Sequence, residues 1–272
     1  PVWRCFAGCD GRDIFLEMLS RGLIGDDEDH QQRRADLDRK EEEERQRRIL
    51  LACTIWKEAV PAPGTPAEAY LLHRGISLLP PSIRYHAALF HRESARRHPA
   101  LVAAVQGPDR SIRAVQRIFL RPDGSDKAEV EKPKQALGPI RGGAVRLAPA
   151  AETLVIAEGV ESALSLQQMT GHPCWAALGA TNIPNFQPPP EVRRLILAPD
   201  PDEAGEAQIA KTALRLEAAG IEVHHLPAPP GMDWNDLLDL FEEREAIYQF
   251  EGGLDRKEAE RRAFSGIMRS TE

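Results

Sequence analysis

The feature that most constrains the fold is an alternation of short apolar runs with longer helix-like segments in the C-terminal half. The apolar runs are Leu154–Ala157, Cys174–Leu178, Leu195–Ala198 and Ile221–Leu226. Between them lie Val160–Thr170 and Glu203–Ala219, each followed directly by a glycine. Short apolar runs indicate buried strands, and a glycine after a longer segment is typical of a helix end. The alternation therefore predicts a mostly parallel sheet flanked by helices.

Acidic residues follow three of these predicted strands. Glu158 follows the first, Asp200 and Asp202 follow the third, and Asp233 and Asp236 come shortly after the fourth. Ligands of an open parallel sheet bind outside the carboxyl ends of its strands, so the three clusters are expected to converge. Close carboxylates raise one another's pKa or bind a cation, and their hard oxygens suit Mg²⁺ or Mn²⁺. Two such ions about 3.5–4 Å apart would serve a phosphoryl transfer.

Each acidic motif alone has an ordinary explanation, because a Glu before a helix interacts with the helix dipole and Asp-Pro-Asp forms turns. In succession, however, the segments Glu-Gly-Val-Glu-Ser-Ala-Leu (158–164), Asp-Pro-Asp-Glu-Ala-Gly (200–205) and Asp-Trp-Asn-Asp-Leu-Leu (233–238) resemble the motifs of the Toprim domain. The resemblance covers residues 152–240.

The resemblance implies a role for each acidic residue. Glu158 would be a general acid/base or a metal ligand, and Asp200 and Asp202 would be metal ligands. Glu161, Asp233 and Asp236 are secondary candidates for metal binding. The sequence departs from the pattern at Met232, where similar phage and plasmid sequences often have lysine, so a phosphate-binding role of that lysine does not carry over.

The region before residue 150 resembles the lobe that precedes Toprim in primase-like proteins of phages and plasmids. This resemblance covers about residues 55–150 and rests on Trp56 and the segments 63–65, 70–76 and 83–86. Thr65-Pro66-Ala67-Glu68 predicts a helix start with a capping box. The runs Leu101–Val105 and Ile112–Leu120 flank Gln106-Gly107-Pro108-Asp109, which predicts a β-hairpin. The fold expected for the chain is thus α/β, a Toprim domain preceded by a smaller α+β lobe.

Basic residues in the first lobe are candidates for binding nucleotides and template. Arg113, Arg117 and Arg121 share one face of a strand of period two, so their guanidinium groups are expected to line one groove. Further cations follow in the predicted loop between Asp123 and Gly143: Lys127, Lys132, Lys134 and Arg141. The alternative is a solvated strand face whose arginines keep an edge soluble. The resemblance favours the functional interpretation.

The N-terminal segment 3–10 resembles the second half of a zinc ribbon. It contains Cys5 and Cys9, whereas a structural zinc site needs four ligands. Zn²⁺ binding is therefore expected only if two further ligands come from upstream of Pro1, and two free thiols are the favoured interpretation. The following charge run is predicted to be a solvated helix or linker.

Composition limits the classes of function. The net charge of −7 argues against a protein that coats nucleic acid through general electrostatics. No run of eighteen uncharged apolar residues is present, and no positively charged leader enters an apolar segment, so a cytoplasmic protein without a membrane anchor is expected. The predicted organisation is a partial zinc ribbon (1–25), a charged helical linker (26–50), a primase-type lobe (51–150), the Toprim domain (151–240) and a charged helical tail (241–272).

The leading functional hypothesis is a primase that makes short primers on single-stranded DNA from nucleoside triphosphates. The alternatives are a Toprim nuclease that uses the same carboxylates on water, and a non-catalytic nucleic-acid-binding module. A topoisomerase is disfavoured because the chain has only Tyr70, Tyr85 and Tyr248. The sequence contains no G-x-x-x-x-G-K-[ST] loop, so a replicative helicase activity is expected from a separate partner or domain.

Overall fold

The structure is a computed structural model that describes residues 10–23, 28–200, 203–229 and 231–269. The chain divides into two compact units, Pro1–Arg47 and Arg48–Glu272. Across the described ranges, no helix is both long enough and apolar enough to cross a membrane.

The first unit contains helix α1 (Gly11–Ser20) and the start of helix α2 (Glu28–Glu58). The Asp10 side chain caps α1 by accepting a hydrogen bond from the backbone N–H of Arg12 at 2.7 Å. Ion pairs three or four residues apart line the exposed surface of α2, as between Arg45 and Glu42. The charge run predicted as a helix or linker is therefore helical where the structure describes it.

Within the described residues, the second unit is built on one sheet of ten strands. They are β1 (Val60–Pro61), β2 (Ile83–His91), β3 (Arg96–Gln106), β4 (Ile112–Phe119), β5 (Lys134–Leu137), β6 (Ala144–Arg146), β7 (Thr153–Ala157), β8 (Cys174–Ala176), β9 (Arg194–Ala198) and β10 (Glu222–His225). The main order is β1-β2-β3-β6-β8-β7-β9-β10, and β4 lies between β3 and β5. The pairs β7–β8, β7–β9 and β9–β10 are parallel, and the others are antiparallel. The predicted α/β class is confirmed.

The helices that follow α2 in the described ranges are α3 (Pro66–His73), α4 (Val160–Thr170), α5 (Glu203–Glu217), α6 (Asp236–Phe250) and α7 (Arg256–Arg269). A 3₁₀ helix spans Ala180–Asn185. Helix α3 begins as predicted, since the Thr65 hydroxyl accepts from the N–H of Ala67, although Glu68 reaches the N–H of Gly64 rather than that of Thr65. Helix α4 ends at Gly171, whose φ of 68° is the left-handed conformation that favours glycine.

The first lobe contains strands that the sequence did not reveal. The hairpin of β3 and β4 is present around the predicted turn. Strand β2 was not predicted, and β5 lies inside the segment that was predicted to be a loop. Strand β5 is only four residues long and pairs with β4 alone, so its pattern is too short to distinguish from a loop.

Strand β6 joins the two predicted lobes, because it pairs with β3 on one side and with β8 on the other. Apolar side chains cover both faces of the resulting sheet. On one face, Leu101 and Val155 belong to a core that includes residues of α3, α4 and α6. On the other face, Val102 packs with Ala52 of α2, and Ile156 packs with residues of the 3₁₀ helix and α5.

The predicted C-terminal tail consists of α7 and most of α6, and both helices pack on the core. Phe241, Ala263 and Ile267 are buried in the same cluster as Val155 and Leu164. The C-terminal helices are therefore part of the folded second unit.

Candidate active site and basic surfaces

Glu158 and Asp200 meet at the carboxyl end of two neighbouring parallel strands. Strand β7 ends at Ala157 and β9 ends at Ala198, and these two residues are paired in register. The backbone N–H of Asp200 donates to Glu158 Oε1 at 3.3 Å, and the hydroxyl of Ser162 donates to Asp200 Oδ1 at 3.3 Å. Glu158 is only 9% exposed. The structure thus brings together the first and second of the predicted acidic motifs.

The third predicted ligand, Asp202, lies outside the described residues, as do Cys5 and Cys9. Among the residues that the structure describes, no group of three His, Cys, Asp or Glu side chains could hold one metal ion. The prediction of a site formed by Glu158, Asp200 and Asp202 therefore stays a prediction.

Asp233 and Asp236 form the start of helix α6. Asp233 Oδ1 accepts from the N–H groups of Asn235 and Asp236 at 2.8 and 2.9 Å, and Asp236 Oδ2 accepts from the N–H of Asp233 at 3.0 Å. Reciprocal bonds of this kind satisfy backbone donors at a helix start. The Trp234 indole N–H donates to the carbonyl of Pro199, at 3.3 Å, which ties this turn to the loop that carries Asp200.

Glu161, in the first turn of α4, is buried and already paired. Its Oε1 atom lies 2.8 Å from the ammonium nitrogen of Lys134 and accepts from the Tyr70 hydroxyl at 2.9 Å. Burial alone would raise the pKa of Glu161, but the charge and hydrogen bond of Lys134 outweigh it, and the pKa lies below its usual value. The pKa of Tyr70 is raised by burial and by the Glu161 charge.

The three predicted arginines do not follow one regular strand, and that part of the prediction is wrong. The pairing of β3 with β4 shifts register between the pairs Val105–Ala114 and Gln106–Ile112, which leaves Arg113 at the irregularity. Strand β4 ends at Phe119, before Arg121. A bulge interrupts the period of two on which the shared face depended.

The sheet also separates Arg117 from Lys134. In the β4–β5 ladder, Arg117 is opposite Gln135 and Ile118 is opposite Lys134, so the two cations lie on different faces. The Arg117 guanidinium lies over the Phe119 ring, on the face that α2 covers, and donates to Gln135 Oε1 at 3.2 Å. Burial lowers the pKa of Arg117.

The remaining predicted cations have local partners. Arg113 pairs with Asp109 at 3.1 Å, and Arg121 pairs with Glu129. Lys132 lies 3.9 Å from its neighbour Glu131, and the Nε of Arg141 donates to Asn185 Oδ1 at 2.9 Å. Of the seven basic residues singled out in the sequence, Lys134 is the one that contacts an acidic Toprim-motif residue within the described part of the chain.

A cavity of about 570 Å³ on the α2 side of the sheet is lined by basic and aromatic residues, of which the sequence singled out only Trp56. The Arg146 guanidinium lies 4.5 Å from the ring centroid of Trp175 and donates to the carbonyl of Gly107 at 2.7 Å. Trp56 and the largely exposed Arg110 also line the cavity. Burial lowers the pKa of Arg146, and so does the charge of Arg110.

Two polar atoms in this cavity are buried and have no hydrogen-bond partner in the described part of the chain, the Nε of Arg146 and the hydroxyl of Ser82. Unsatisfied buried polar groups are unusual and often mark a ligand or ordered water. No sequence motif pointed to Arg146, since it belongs to a strand of three residues.

Two protein families match different parts of the chain. The Toprim domain family matches residues 153–240, and a domain of unknown function, DUF7146, matches residues 46–147. No curated protein matches the chain.

Solved structures of primases share the fold. The DnaG catalytic core has a TM-score of 0.50 at 14% identity, over 72% of this chain and 75% of that chain. A DNA primase domain from Pseudomonas aeruginosa has a TM-score of 0.48 at 14% identity, over 74% of this chain and 78% of its own. The primase fragment of the bacteriophage T7 primase-helicase protein has a TM-score of 0.44 at 16% identity, over 71% and 74%.

Proposed function

This chain carries a Toprim domain within a primase-like fold, and from that premise we propose that it is a nucleotidyltransferase that synthesises short primers on single-stranded DNA. The reaction would join a 3′-hydroxyl to the α-phosphate of an incoming nucleoside triphosphate.

The observation that carries the proposal is the meeting of Glu158 and Asp200 at the ends of β7 and β9. Both carboxylates face the edge of a parallel sheet at which ligands of such sheets bind. Glu158 lies in a largely buried position, where a base or a metal ligand is shielded from bulk water.

The donor set fits a hard divalent cation, since the paired side chains offer carboxylate oxygens. We propose that Glu158 and Asp200, together with Asp202, hold two Mg²⁺ or Mn²⁺ ions. When bound, two such ions stabilise the attacking and the leaving oxygen of a phosphoryl transfer. The chain's own contribution is to hold the carboxylates in register, through β7, β9 and the hydrogen bond of Ser162 to Asp200.

Lys134 supports the nucleotide part of the proposal. Its side chain is 38% exposed, and its ammonium group is anchored on Glu161, which lies three residues after Glu158 and in the first turn of α4. An ammonium group in this position can bind the phosphates of a nucleotide whose reacting end lies at the carboxylates. Arg113, Arg117, Arg121, Lys132 and Arg141 remain candidates for contacts with nucleotide or template.

The cavity around Arg146 supports the template part. A guanidinium group stacked on an indole ring offers a flat cationic surface, and bases of single strands stack on aromatic and guanidinium planes. Arg110 at the rim adds a second positive charge for the phosphate backbone. A primer-synthesising protein of this kind would act in the cytoplasm, with strand separation supplied by a separate helicase.

The test is nucleotide incorporation on single-stranded DNA with Mg²⁺ or Mn²⁺, comparing the native chain with Glu158→Gln. Glu243→Gln, on the exposed surface of α6, is the matched control. We expect products from the native and control proteins and at least about 100-fold less from Glu158→Gln, because the reacting phosphate loses a charge-stabilising partner.

Other outcomes would replace the proposal. Template degradation without primer products would identify a nuclease that uses the same carboxylates. Binding of single-stranded DNA that persists in EDTA, without synthesis or degradation, would identify a non-catalytic binding module. Equal activity of Glu158→Gln and the native protein would mean that the chemistry takes place elsewhere.

A further inference from the structure

Glu161 is more completely enclosed than the other acidic residues of the Toprim motifs whose side chains the structure describes. Its side chain is 4% exposed, and Tyr70, which donates to it, is fully buried. The carboxylate sits between helix α4, which carries it, and β5, which carries Lys134. A buried carboxylate is strongly unfavourable unless cations and hydrogen bonds compensate it.

The two carboxylate oxygens of Glu161 differ in their contacts. Lys134 and Tyr70 both bind Oε1, whereas Oε2 is buried and lacks a hydrogen-bond partner within the described ranges. An enclosed charge with one unused oxygen attracts any nearby cation.

Lys127 supplies a second cation, which interacts electrostatically with this carboxylate. It is half-buried, and its pKa is lowered by burial and by the charge of Lys134, while the charge of Glu161 acts in the opposite direction. The loop before it packs tightly on α3. Gly124, at a φ of 74°, approaches so closely that a Cβ atom there would lie 2.3 Å from the carbonyl oxygen of Pro66. The loop that leads to Lys127 is therefore held against α3, the helix that carries Tyr70.

We propose that Glu161 is a positioning residue, which holds the ammonium groups of Lys134 and Lys127 as a phosphate-binding pair, and that the Tyr70 hydroxyl fixes the orientation of its carboxylate. The inference rests on the proposed function, since the phosphates are those of the incoming nucleotide. It differs from the sequence-based expectation, in which Glu161 is a metal ligand.

The charges of the cluster agree with this assignment. Two ammonium groups around one carboxylate leave one net positive charge, and the exposed part of Lys134 presents it to solvent. Without the carboxylate, the two ammonium groups repel each other, and Lys134 loses its anchor. A simple electrostatic effect would make Glu161→Gln bind phosphate more tightly, because one negative charge is removed, whereas loss of positioning makes it bind more weakly.

The experiment measures ATP binding by titration calorimetry with Mg²⁺, and in parallel the Mg²⁺ concentration that gives half-maximal primer synthesis. We expect Glu161→Gln to raise the Kd for ATP about 5- to 10-fold through loss of the charge-assisted pair, with half-maximal Mg²⁺ within about twofold of native. A metal-ligand role predicts the reverse, a raised Mg²⁺ requirement with little change in the ATP Kd, and would overturn the proposal.

A double-mutant cycle tests the connection between Glu161 and Lys134. Lys134→Met removes the ammonium group, so adding Glu161→Gln to it should weaken ATP binding further by less than about twofold. Fully multiplicative effects would show that Glu161 acts independently of Lys134, and would overturn the proposal.

Tyr70→Phe provides a second variant, which removes one hydroxyl and keeps the buried ring. We expect a smaller rise of the ATP Kd, about 2- to 4-fold, with the Mg²⁺ requirement unchanged. If Glu161→Gln does not fold, as seen by circular dichroism, Tyr70→Phe and Lys134→Met decide the question, and native ATP affinity in both would overturn the proposal.

The binding measurement also separates this inference from the proposed function. If the native chain binds ATP but makes no primers, primer synthesis is refuted, and the ratio of ATP Kd values still decides the role of Glu161. If the native chain does not bind ATP at millimolar concentration, the phosphate-binding pair is refuted, whatever activity the carboxylates have.

Discussion

The two parts of the shared sheet present their charged residues in different ways. In the parallel part, the acidic residues follow strand ends, so neighbouring strands bring Glu158 and Asp200 to one edge. In the antiparallel part, Arg117 and Lys134 lie along strands, so each belongs to one face or the other. Arg117 lies on the face covered by α2, and Lys134 lies on the face of Glu161.

The two parts differ in what determines which residues surround a charged side chain. At a strand end, the direction and order of the strands are sufficient to bring residues together. Along a strand, a shift of one residue moves a side chain to the opposite face, and the layer that covers that face decides whether it meets solvent, a helix or a partner charge. The parallel part thus brings charged residues together at one edge, whereas the antiparallel part places them on opposite faces of the sheet.

The strongest test of this comparison is the removal of charge from the parallel edge. Asp200→Asn keeps the size of the side chain and is expected to lower primer synthesis about 100- to 1,000-fold, because an electrostatic partner of the reacting phosphate is lost. Single-turnover incorporation measures the effect. Asp239→Asn, an exposed aspartate of α6, is the control and should retain native activity. Equal losses of primer synthesis in both variants would show that a carboxylate at a strand end contributes no more to activity than an exposed carboxylate elsewhere.

The next largest effect is expected on the free energy of unfolding. It comes from a substitution at the joint between the two parts, where the parallel and antiparallel strands of the sheet meet. Asn182 is 4% exposed, its amide nitrogen lies 2.9 Å from the carbonyl of Gly143 and 2.7 Å from that of Ala177, and its Oδ1 accepts from the N–H of Gly142. Asn182→Ala should lower the free energy of unfolding by about 2–4 kcal/mol, because buried backbone groups lose their partners. Urea denaturation measures it.

Asn185→Ala is the control for this prediction, since Asn185 is only half-buried and bonds Arg141 and the carbonyl of Thr181. It should cost about 1 kcal/mol or less. If both asparagines cost the same, the joint between the parallel and antiparallel parts does not depend on the Asn182 network.

The cavity on the α2 side allows a test of whether the antiparallel part holds nucleic acid away from the carboxylates. Arg146→Lys keeps the positive charge and removes the flat guanidinium over Trp175, so affinity for a labelled single-stranded oligothymidylate should fall about 3- to 10-fold. Fluorescence anisotropy in EDTA measures it without metal. Arg194→Lys, whose guanidinium pairs with Glu222 outside the cavity, should bind like the native chain.

The same contrast between the parallel and antiparallel parts explains which features of the structure could be predicted from the sequence. Strands β7 and β9 were recognisable as buried apolar runs, and their parallel order was enough to predict that Glu158 and Asp200 meet. Strand β5 was missed because four residues carry no distinguishable period. The contact of Lys134 with Glu161 depends on that strand, so no local pattern could have revealed it.

The arginines show a second limit of sequence-based prediction. Their spacing of four residues was consistent with one strand face, but the irregularity at Arg113 and the end of β4 at Phe119 break the period. The cover provided by Ala52 and Ile55 of α2 comes from a distant part of the chain. Arg146 was overlooked for a similar reason, since its stacking partner Trp175 lies on another short strand.

The smallest expected effect concerns the two arginines at the ends of the predicted stripe. Arg113 and Arg121 pair with Asp109 and Glu129, so their charges are largely compensated before any ligand arrives. The double variant Arg113→Gln, Arg121→Gln should therefore change the affinity for single-stranded DNA by about twofold or less, as is usual for surface ion pairs. Anisotropy titrations between low and moderate salt measure both the affinity and its salt dependence. If each arginine contacts a phosphate instead, the slope of log Kd against log salt should fall by about 0.7 per residue, as for single strands. Such a change would support the predicted arginine groove. It would mean that the antiparallel part, like the parallel part, brings its charged residues together on one surface.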